Sequence, residues 1–261
     1  MLALENLSLR IFDTMNMKWK LSTLALAAAV SFGASADVTL SVKGEITPGA
    51  CTPVLGASDV DYGTINASTL TAVAPALNQL GNKTVSLAIT CTAAVPVGIT
   101  ATDARADSRI TLGGDTFLDN AGAAAVRLTQ DRNTYGLGKI NNVNIGVYSM
   151  AVDVAQVSAT DSAGTSFTPD ILSGMITSTS PLVTNDWVKT NNGFVLPVTS
   201  DPVSGTVVTF ARAGTTVPTP IKSATVPLII SSAIQDVSSF GYNNGESIKL
   251  DGNATLSLVY L

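Results

Sequence analysis

The sequence predicts an all-β protein, and three observations support that class. Short stretches of alternating apolar and polar residues recur along the chain, with turn residues between them, which is typical of a sandwich or a barrel. No long segment carries apolar residues at helical spacing on a charged background. Each of the two cysteines, Cys51 and Cys91, stands at the edge of a predicted strand. No linker divides the chain, so we expect one β domain.

The two cysteines allow a single intramolecular pairing, Cys51 with Cys91. In the chain-entropy model, closing a loop of roughly 40 residues stabilises a protein by about 4 kcal/mol. That is a large share of the roughly 5–15 kcal/mol that a domain has in total. We expect the disulfide to form if the chain is exported, and two buried free thiols are the alternative.

The start of the chain carries the three parts of a secretory signal peptide. A short basic stretch, Met17–Lys20, precedes the apolar run Leu21–Phe32, and an A-x-A motif then predicts cleavage between Ala36 and Asp37. The apolar run is shorter than the about 20 residues that a membrane-spanning helix needs. The alternative is a helix that belongs to the core of the fold.

The residues before this signal contain two acids, Glu5 and Asp13, and fit no part of it. We therefore interpret residues 1–36 as a signal peptide whose start has been assigned too early, with the true start near Met17; an unusually long leading region is the alternative. The mature chain, 37–261, has no second apolar stretch of spanning length. The whole chain has a net charge of −5 and loses a basic leader on cleavage, which argues against nucleic acid and anionic lipid as partners.

The alternating pattern predicts strands along the mature chain, with a short helix near Leu77–Leu80. Two polar stretches, Asp103–Lys139 and Asp161–Asn192, are predicted to be long loop excursions, the first with a short strand at Arg109–Leu112. The predicted strands are Val38–Ile46, Val85–Cys91, Val95–Ala101, Asn144–Val152, Gly193–Val198, Thr206–Ala211, Thr225–Ser232 and Ile248–Tyr260.

The residue inventory predicts a protein that is not an enzyme and needs no cofactor or metal. The chain has no histidine, which excludes the usual Ser-His-Asp and Cys-His systems and removes the commonest metal ligand. Two cysteines cannot build a structural zinc site, and no phosphate-binding glycine motif follows a strand. The aspartates between residues 103 and 119 lack the spacing of an EF-hand loop. A glycosidase-type pair of carboxylates is the one catalytic arrangement that the composition leaves open.

Trp187 stands in a polar stretch, where an exposed indole could stack on a sugar. The alternative is that the ring folds back onto the sandwich. A self-contained periplasmic or surface module that binds carbohydrate is therefore our second hypothesis for the function.

Motifs near both ends of the mature chain resemble those of chaperone–usher fimbrial subunits. A strand with V-K-G-E-I leads to a cysteine in Val42–Cys51, and a second strand ends in a cysteine in Thr84–Cys91. The last strand, Gly252–Leu261, reads G-N-A-T-L-S-L-V-Y-L with a penultimate tyrosine, and Gly138–Met150 is similar to a mid-chain strand of those subunits. Within that class, the chain resembles a larger, poorly characterised family encoded beside fimbrial operons.

The resemblance implies an immunoglobulin-like, pilin-type sandwich that lacks its last strand. In that family a periplasmic chaperone fills the open groove first, and the N-terminal extension of another subunit fills it later, by adding a strand to the sheet edge. An ordinary strand in a complete sandwich is the alternative. The groove wall would be formed by residues of the last strand that share one parity: Ile248, Leu250, Ala254, Leu256, Leu258 and Tyr260.

The function implied by the resemblance is that of a structural or adhesive fimbrial subunit in the periplasm and on the surface of a Gram-negative bacterium. Its partners would be the periplasmic chaperone, other fimbrial subunits and a surface glycan. Two features depart from shaft subunits. If cleavage follows Ala36, only Asp37 and Val38 precede Thr39, which leaves no donor segment and favours a tip or accessory role, or a protein that never polymerises. The chain is also longer, and the surplus lies in the two excursions, where we expect binding specificity.

Overall fold

The computed structural model describes residues 49–70, 76–113, 116–120, 126–177, 186–200, 203–240 and 247–261. The predictions for the signal peptide, for cleavage between Ala36 and Asp37 and for the strand Val38–Ile46 lie outside these residues. No helix in the described part of the chain is long and apolar enough to cross a membrane. The helical segments described are short 3-10 turns: Ala67–Thr69, Ala106–Ser108, Asp131–Asn133 and Val237–Phe240.

The chain is all-β, as the sequence predicts, and its ladders are antiparallel. The strands are β1 (Cys51–Leu55), β2 (Asn78–Val95), β3 (Val97–Asp103), β4 (Leu118–Asn120), β5 (Val126–Leu128), β6 (Tyr135–Gly136), β7 (Lys139–Ile140), β8 (Val143–Asn144), β9 (Gly146–Val152), β10 (Ser158–Thr160), β11 (Ser166–Phe167), β12 (Asp170–Met175), β13 (Val188–Lys189), β14 (Thr199–Ser200), β15 (Val203–Ser204), β16 (Thr206–Ala211), β17 (Ile221–Ile234) and β18 (Ala254–Tyr260).

Two larger sheets form a β-sandwich. The first has the order β1-β2-β17-β10-β11, with β9 also paired to β17 and β6 to β9; the second has the order β13-β12-β16-β3-β18. Alternate residues of both sheets meet in one apolar core, as Leu87 and Leu228 of the first do with Ile99 and Phe210 of the second. The immunoglobulin-like detail of the topology stays a prediction.

The predicted disulfide is confirmed, and it joins two strands of the first sheet. Cys51 begins β1 and lies directly opposite Cys91 of β2, with the Cα atoms 3.9 Å apart. Pro96, which cannot donate to a ladder, separates β2 from β3 where the chain leaves the first sheet for the second.

The helix predicted at Leu77–Leu80 is wrong, because β2 already begins at Asn78. Asn78 pairs with Ile234 near the end of β17, so the long strand pairing overrides the local helical signal. Gly193–Val198 is not a ladder strand either. Its backbone makes isolated bridges instead, with the Val195 amide donating to the Met150 carbonyl at 3.0 Å and the Val198 amide donating to the Ala101 carbonyl at 2.7 Å. The Thr206 hydroxyl adds to these by accepting from the Leu196 amide at 2.9 Å and donating to the Phe194 carbonyl at 3.1 Å.

The second predicted excursion, Asp161–Asn192, is not one loop. It contains β12, which lies between β13 and β16 in the second sheet, and Ile171 and Leu172 of β12 are buried. The sequence D-I-L-S-G-M is too short and too polar to show a clear alternation, and burial between two strands makes it a core strand.

The first predicted excursion folds back onto the outer face of the first sheet, and we call Asp103–Lys139 the covering segment. Its hairpin β4–β5 contributes Leu118 and Leu128 to a second apolar cluster, together with outward-facing residues such as Val147 and Ile229 of the first sheet. No strand forms at Arg109–Leu112, where Ile110 and Leu112 enter the same cluster as irregular chain. This segment therefore covers the sheet instead of projecting from it.

Candidate functional site

Strand β18 is an edge strand of the second sheet. It pairs along its whole length with β3, from Ala254 opposite Asp103 to Tyr260 opposite Val97, and no other strand in the described residues pairs with it. Backbone bonds that continue this ladder join Asn253 to Ala104 at 2.9 Å and Leu261 to Pro96 at 3.2 Å. The odd-numbered residues of β18 therefore bond to β3.

The even-numbered residues of β18 consequently point their N–H and C=O groups at the open edge, because successive residues of a strand face opposite neighbours. The side chains of the same residues face the sandwich interior, and Ala254, Leu256 and Leu258 contact the main core. Among the described residues, this edge thus combines unpaired backbone donors and acceptors with an apolar inner wall, which is the form of a template for an added strand.

The facing edge, on β1, offers much less. Thr92 bonds to Ala50 and Gly56 bonds to Ser86, so the odd-numbered residues of β1 point away from β2. Of these, the Cys51 amide donates to the Tyr260 hydroxyl at 2.8 Å, and Pro53 has no amide hydrogen. The two edges that face each other are therefore unequal, and an added strand would bond to β18.

Between these edges lies a cavity of about 570 Å³, which we call the edge groove. One wall is residues 55–62, the other is residues 250–256, and the floor is the inner face of the first sheet. The floor is formed by Val85, Leu137, Tyr148, Met150, Leu228, Ile230 and Ser232.

The structure places three of the six predicted wall residues in the edge groove: Leu250, Ala254 and Leu256. Ile248 and Leu258 pack against the main core without lining the cavity. The predicted start of the last strand at Ile248 is wrong, since β18 begins at Ala254. The preceding stretch is bound to loops instead, with the Asp251 amide donating to the Leu137 carbonyl at 2.9 Å.

Tyr260, the last of the six, does not line the edge groove. Its side chain is 50% exposed, and its hydroxyl accepts the Cys51 amide, which joins the last strand of one sheet to the first strand of the other. The penultimate tyrosine is therefore a clamp between the two sheets, at the point where the disulfide also fixes β1.

Tyr62 fixes the wall of residues 55–62 over the first sheet. Its hydroxyl donates to the Ile230 carbonyl at 2.9 Å, and burial raises the pKa of this hydroxyl. The sequence analysis did not assign this wall to the groove. The signal that could have found it is the alternation of Val60 and Tyr62 after Cys51, which continues the edge beyond the short strand β1.

Gly252 and Tyr148 both line the edge groove. A Cβ on Gly252 would lie 2.8 Å from the Tyr148 ring, so a larger residue there would force the ring to shift. The Tyr148 ring stacks on Tyr135 with 5.0 Å between the ring centroids, and burial raises the pKa of both hydroxyls.

A polar cluster anchors the wall near Asp251 from outside the cavity. The Arg105 guanidinium contacts the Asp251 carboxylate, while the side chain of Asp103 is 2% exposed and accepts the Arg105 and Gly136 amides at 2.8 and 3.1 Å. Burial raises the pKa of Asp103, and Arg109 at 3.8 Å opposes this rise. In the described part of the chain, no three His, Cys, Asp or Glu residues are placed to hold a metal ion.

The fold and the site define a class: a disulfide-bonded antiparallel sandwich with one open strand edge above an apolar floor. Comparison with known proteins then gives the family. A family profile described as "Protein of unknown function (DUF1120)" matches residues 40–149. Protein GltF of Escherichia coli (strain K12) is 34% identical over 260 residues, which cover 95% of this chain and 100% of that protein. The uncharacterized protein YhcF of the same organism is 30% identical over 252 residues, with coverage of 91% and 98%.

The chain therefore belongs to the same family as GltF and YhcF, and the DUF1120 profile matches part of it. No solved structure matches it significantly. The names of the two relatives state no ligand and no fimbrial role, so the fimbrial part of the resemblance goes forward as a proposal.

Proposed function

We propose that this protein is an exported fimbrial-type subunit, with a tip or accessory role in adhesion or assembly, whose sandwich is completed by a strand from a partner. A periplasmic fimbrial chaperone would supply that strand first, and another fimbrial subunit would replace it. The observation that carries the proposal is the edge groove, because a sandwich with an open edge above an apolar floor has a place for one more strand.

The physical basis is strand addition to a sheet edge. An inserted strand would bond to the outward N–H and C=O groups of Ala254, Leu256 and Leu258, each bond contributing about 0.5–1.5 kcal/mol. Its alternate side chains would enter the cavity that Leu228 and Ile230 line, and would be buried there themselves.

Export to the periplasm or cell surface forms part of the proposal. The Cys51–Cys91 disulfide supports it, because structural disulfides persist in oxidising compartments. The signal-peptide pattern that ends at Ala36 supports it independently.

A self-contained carbohydrate-binding module remains the second candidate, and one observation favours it. Trp187 is only partly buried and directly precedes β13, the other edge of the second sheet, where Val188 is 65% exposed. A partly exposed indole beside an apolar side chain is a surface on which a sugar ring could stack.

The test is to export the full chain with and without a periplasmic fimbrial chaperone and to measure yield, stoichiometry and thermal unfolding. We expect the chain alone to aggregate, and a one-to-one complex to be soluble and to unfold at a higher temperature. A soluble monomer that unfolds cooperatively and ignores the chaperone would contradict the proposal and favour the carbohydrate-binding module.

A matched pair of variants makes this test specific for the edge groove. Leu256→Asp places a charge on the inner wall, and we expect it to abolish the complex. Val217→Asp makes the same kind of change at a residue that is 69% exposed and outside the cavity lining, and we expect the complex to survive.

A further inference from the structure

The rim of the edge groove carries a charge that the rest of the site does not compensate. Asp59 and Asp61 both line the cavity on the wall of residues 55–62, and both are exposed. They share one parity, so they lie on the same side of that wall if it is extended. Neither belongs to an ion pair in the described residues, in contrast to Asp251 on the opposite wall, which contacts Arg105.

The local contacts of these two carboxylates hold them at the rim without neutralising them. The Ser58 hydroxyl donates to Asp59 at 3.3 Å, and the Gly63 amide donates to Asp61 at 2.7 Å. The nearby cation Lys83 lies over the Tyr62 ring at 5.7 Å from its centroid and makes no described ion pair with either carboxylate. The rim therefore presents negative charge to whatever occupies the cavity.

The floor and the open edge define the rest of the occupant. The backbone groups of β18 require an extended strand, and the apolar floor requires apolar side chains at alternate positions. The solvent-facing side chains of such a strand would pass the rim. A basic residue among them would meet Asp59 and Asp61, whereas an acidic residue would be repelled.

We propose that the edge groove selects a strand that is apolar on its inner side and carries a lysine or arginine on its outer side, level with Asp59 and Asp61. This inference rests on the proposed function and adds the chemistry of the partner strand. Because Asp59 and Asp61 occupy fixed positions on one wall, the basic residue would also fix the register of insertion.

The chain itself contains a stretch with this chemistry, which supplies a probe. In V-T-L-S-V-K-G-E-I, Val38, Leu40, Val42 and Ile46 share one parity. Lys43 and Glu45 have the other, so Glu45→Ser is made in both peptides to remove the acidic residue. The stretch lies outside the described residues, and we use its sequence only as a synthetic peptide. The second probe is the same peptide with Lys43→Ser.

The experiment measures the binding of both fluorescent peptides to the full exported chain by anisotropy, at low and high salt. We expect the double variant Asp59→Asn with Asp61→Asn to bind the lysine peptide about three- to tenfold more weakly at low salt, which is the effect of losing two exposed ion pairs. The affinity of the serine peptide should be the same for the double variant and the parent chain. Asp119→Asn, which removes one negative charge on β4 outside the cavity lining, is the control and should leave both affinities unchanged.

The outcomes separate this inference from the function on which it rests. Equal affinities of the two peptides, unaffected by the double variant, would overturn the acidic-rim inference and leave the strand-binding groove in place. An equal loss with Asp119→Asn would also overturn it, because general charge would then be the cause. Absence of binding by either peptide would overturn the proposed function together with this inference.

Discussion

The first sheet has two apolar faces, and different parts of the molecule lie against them. On the outer face, Val147 and Ile229 are covered by the hairpin of the covering segment, where Leu118 is fully buried. On the inner face, Leu228 and Ile230 reach an open cavity at the edge beside β18. The same strand, β17, supplies both surfaces through its alternating parity.

The two faces differ in what the described residues place above them. The covering segment packs Leu118 and Leu128 against the outer face, whereas a cavity of about 570 Å³ lies above part of the inner face. Because Leu228 and Ile230 are only 1% and 7% exposed, an added strand would gain from its own backbone bonds and from burying its own side chains. Under the proposed function, this cavity is the place of the partner strand.

The largest expected effect comes from the bridge that fixes the groove wall. We expect Cys51→Ser to cost about 2–5 kcal/mol in free energy of unfolding and to lower the exported yield sharply. Urea unfolding measures the loss, and Cys91→Ser should match it, with no further loss in the double variant. An unchanged midpoint would remove the disulfide from the account of how β1 is held.

The covered face should respond next. Leu118→Ala removes a fully buried side chain between the covering segment and the sheet, and we expect a loss of about 2–5 kcal/mol. Val217→Ala, at an exposed position, should change stability by less than about 0.5 kcal/mol in the same urea assay. A loss below 1 kcal/mol at Leu118 would mean that the covering segment is not part of the folded core.

Substitutions at the open edge should destabilise a complex with a strand donor more than they destabilise the free chain. Leu256 is only half-buried, so we expect Leu256→Ala to cost the free chain about 1 kcal/mol, less than a fully buried leucine. Its cost to the complex with a strand donor should be larger, because the inserted strand completes its burial. Thermal unfolding of the free and complexed forms compares the two losses, and equal losses would contradict an open edge.

The hydrogen bond between the Cys51 amide and the Tyr260 hydroxyl should contribute less to stability. Tyr260→Phe removes the acceptor of the Cys51 amide and keeps the ring, so we expect a loss of about 0.5–1.5 kcal/mol. Amide exchange at Cys51 should become faster in the same variant. Unchanged exchange there would show that Tyr260 does not hold the two sheets together.

The smallest effect concerns the side of the sandwich away from the groove, where Arg212 joins β16 to the turn after β10. The Arg212 guanidinium at 2.6 Å, followed by the Thr165 and Ala163 amides, lowers the pKa of Asp161. A lowered folded-state pKa gives stability that is present above the unfolded pKa and is lost as pH falls through the folded one. Between pH 5 and pH 2, we expect the free energy of unfolding to fall less in Asp161→Asn than in the parent chain. Urea midpoints at each pH measure the difference. An acid limb identical to that of the parent chain would contradict this.

The sequence alone predicted the features that depend on local pattern. The all-β class and the disulfide follow from alternation and from a pair of cysteines, and the parity of Ala254, Leu256 and Leu258 was correct because a strand repeats every two residues. The second wall, around Tyr62, was missed because its chain is irregular, and the alternation of Val60 and Tyr62 alone is too short a pattern to mark an edge.

The misplaced elements share a physical cause, which is that distant partners decide the structure. β12 is short and polar, and only its position between two strands makes it central. The covering segment carries arginines and aspartates that indicate a solvent-exposed loop, while its few apolar residues, such as Leu118, are enough to bind it to the sheet. No local rule shows which loop a sheet face will recruit.

The most direct test of the open edge is residue-resolved amide hydrogen exchange along β18 in the free, full exported chain. We predict an alternation: fast exchange at the even-numbered residues 254–258, whose amides face the open edge, and slow exchange at the odd-numbered residues 255–259, which bond to β3. A bound strand should then slow the even-numbered set. Slow exchange at every residue of β18 in the free chain would mean that the edge is already paired, and the sandwich complete.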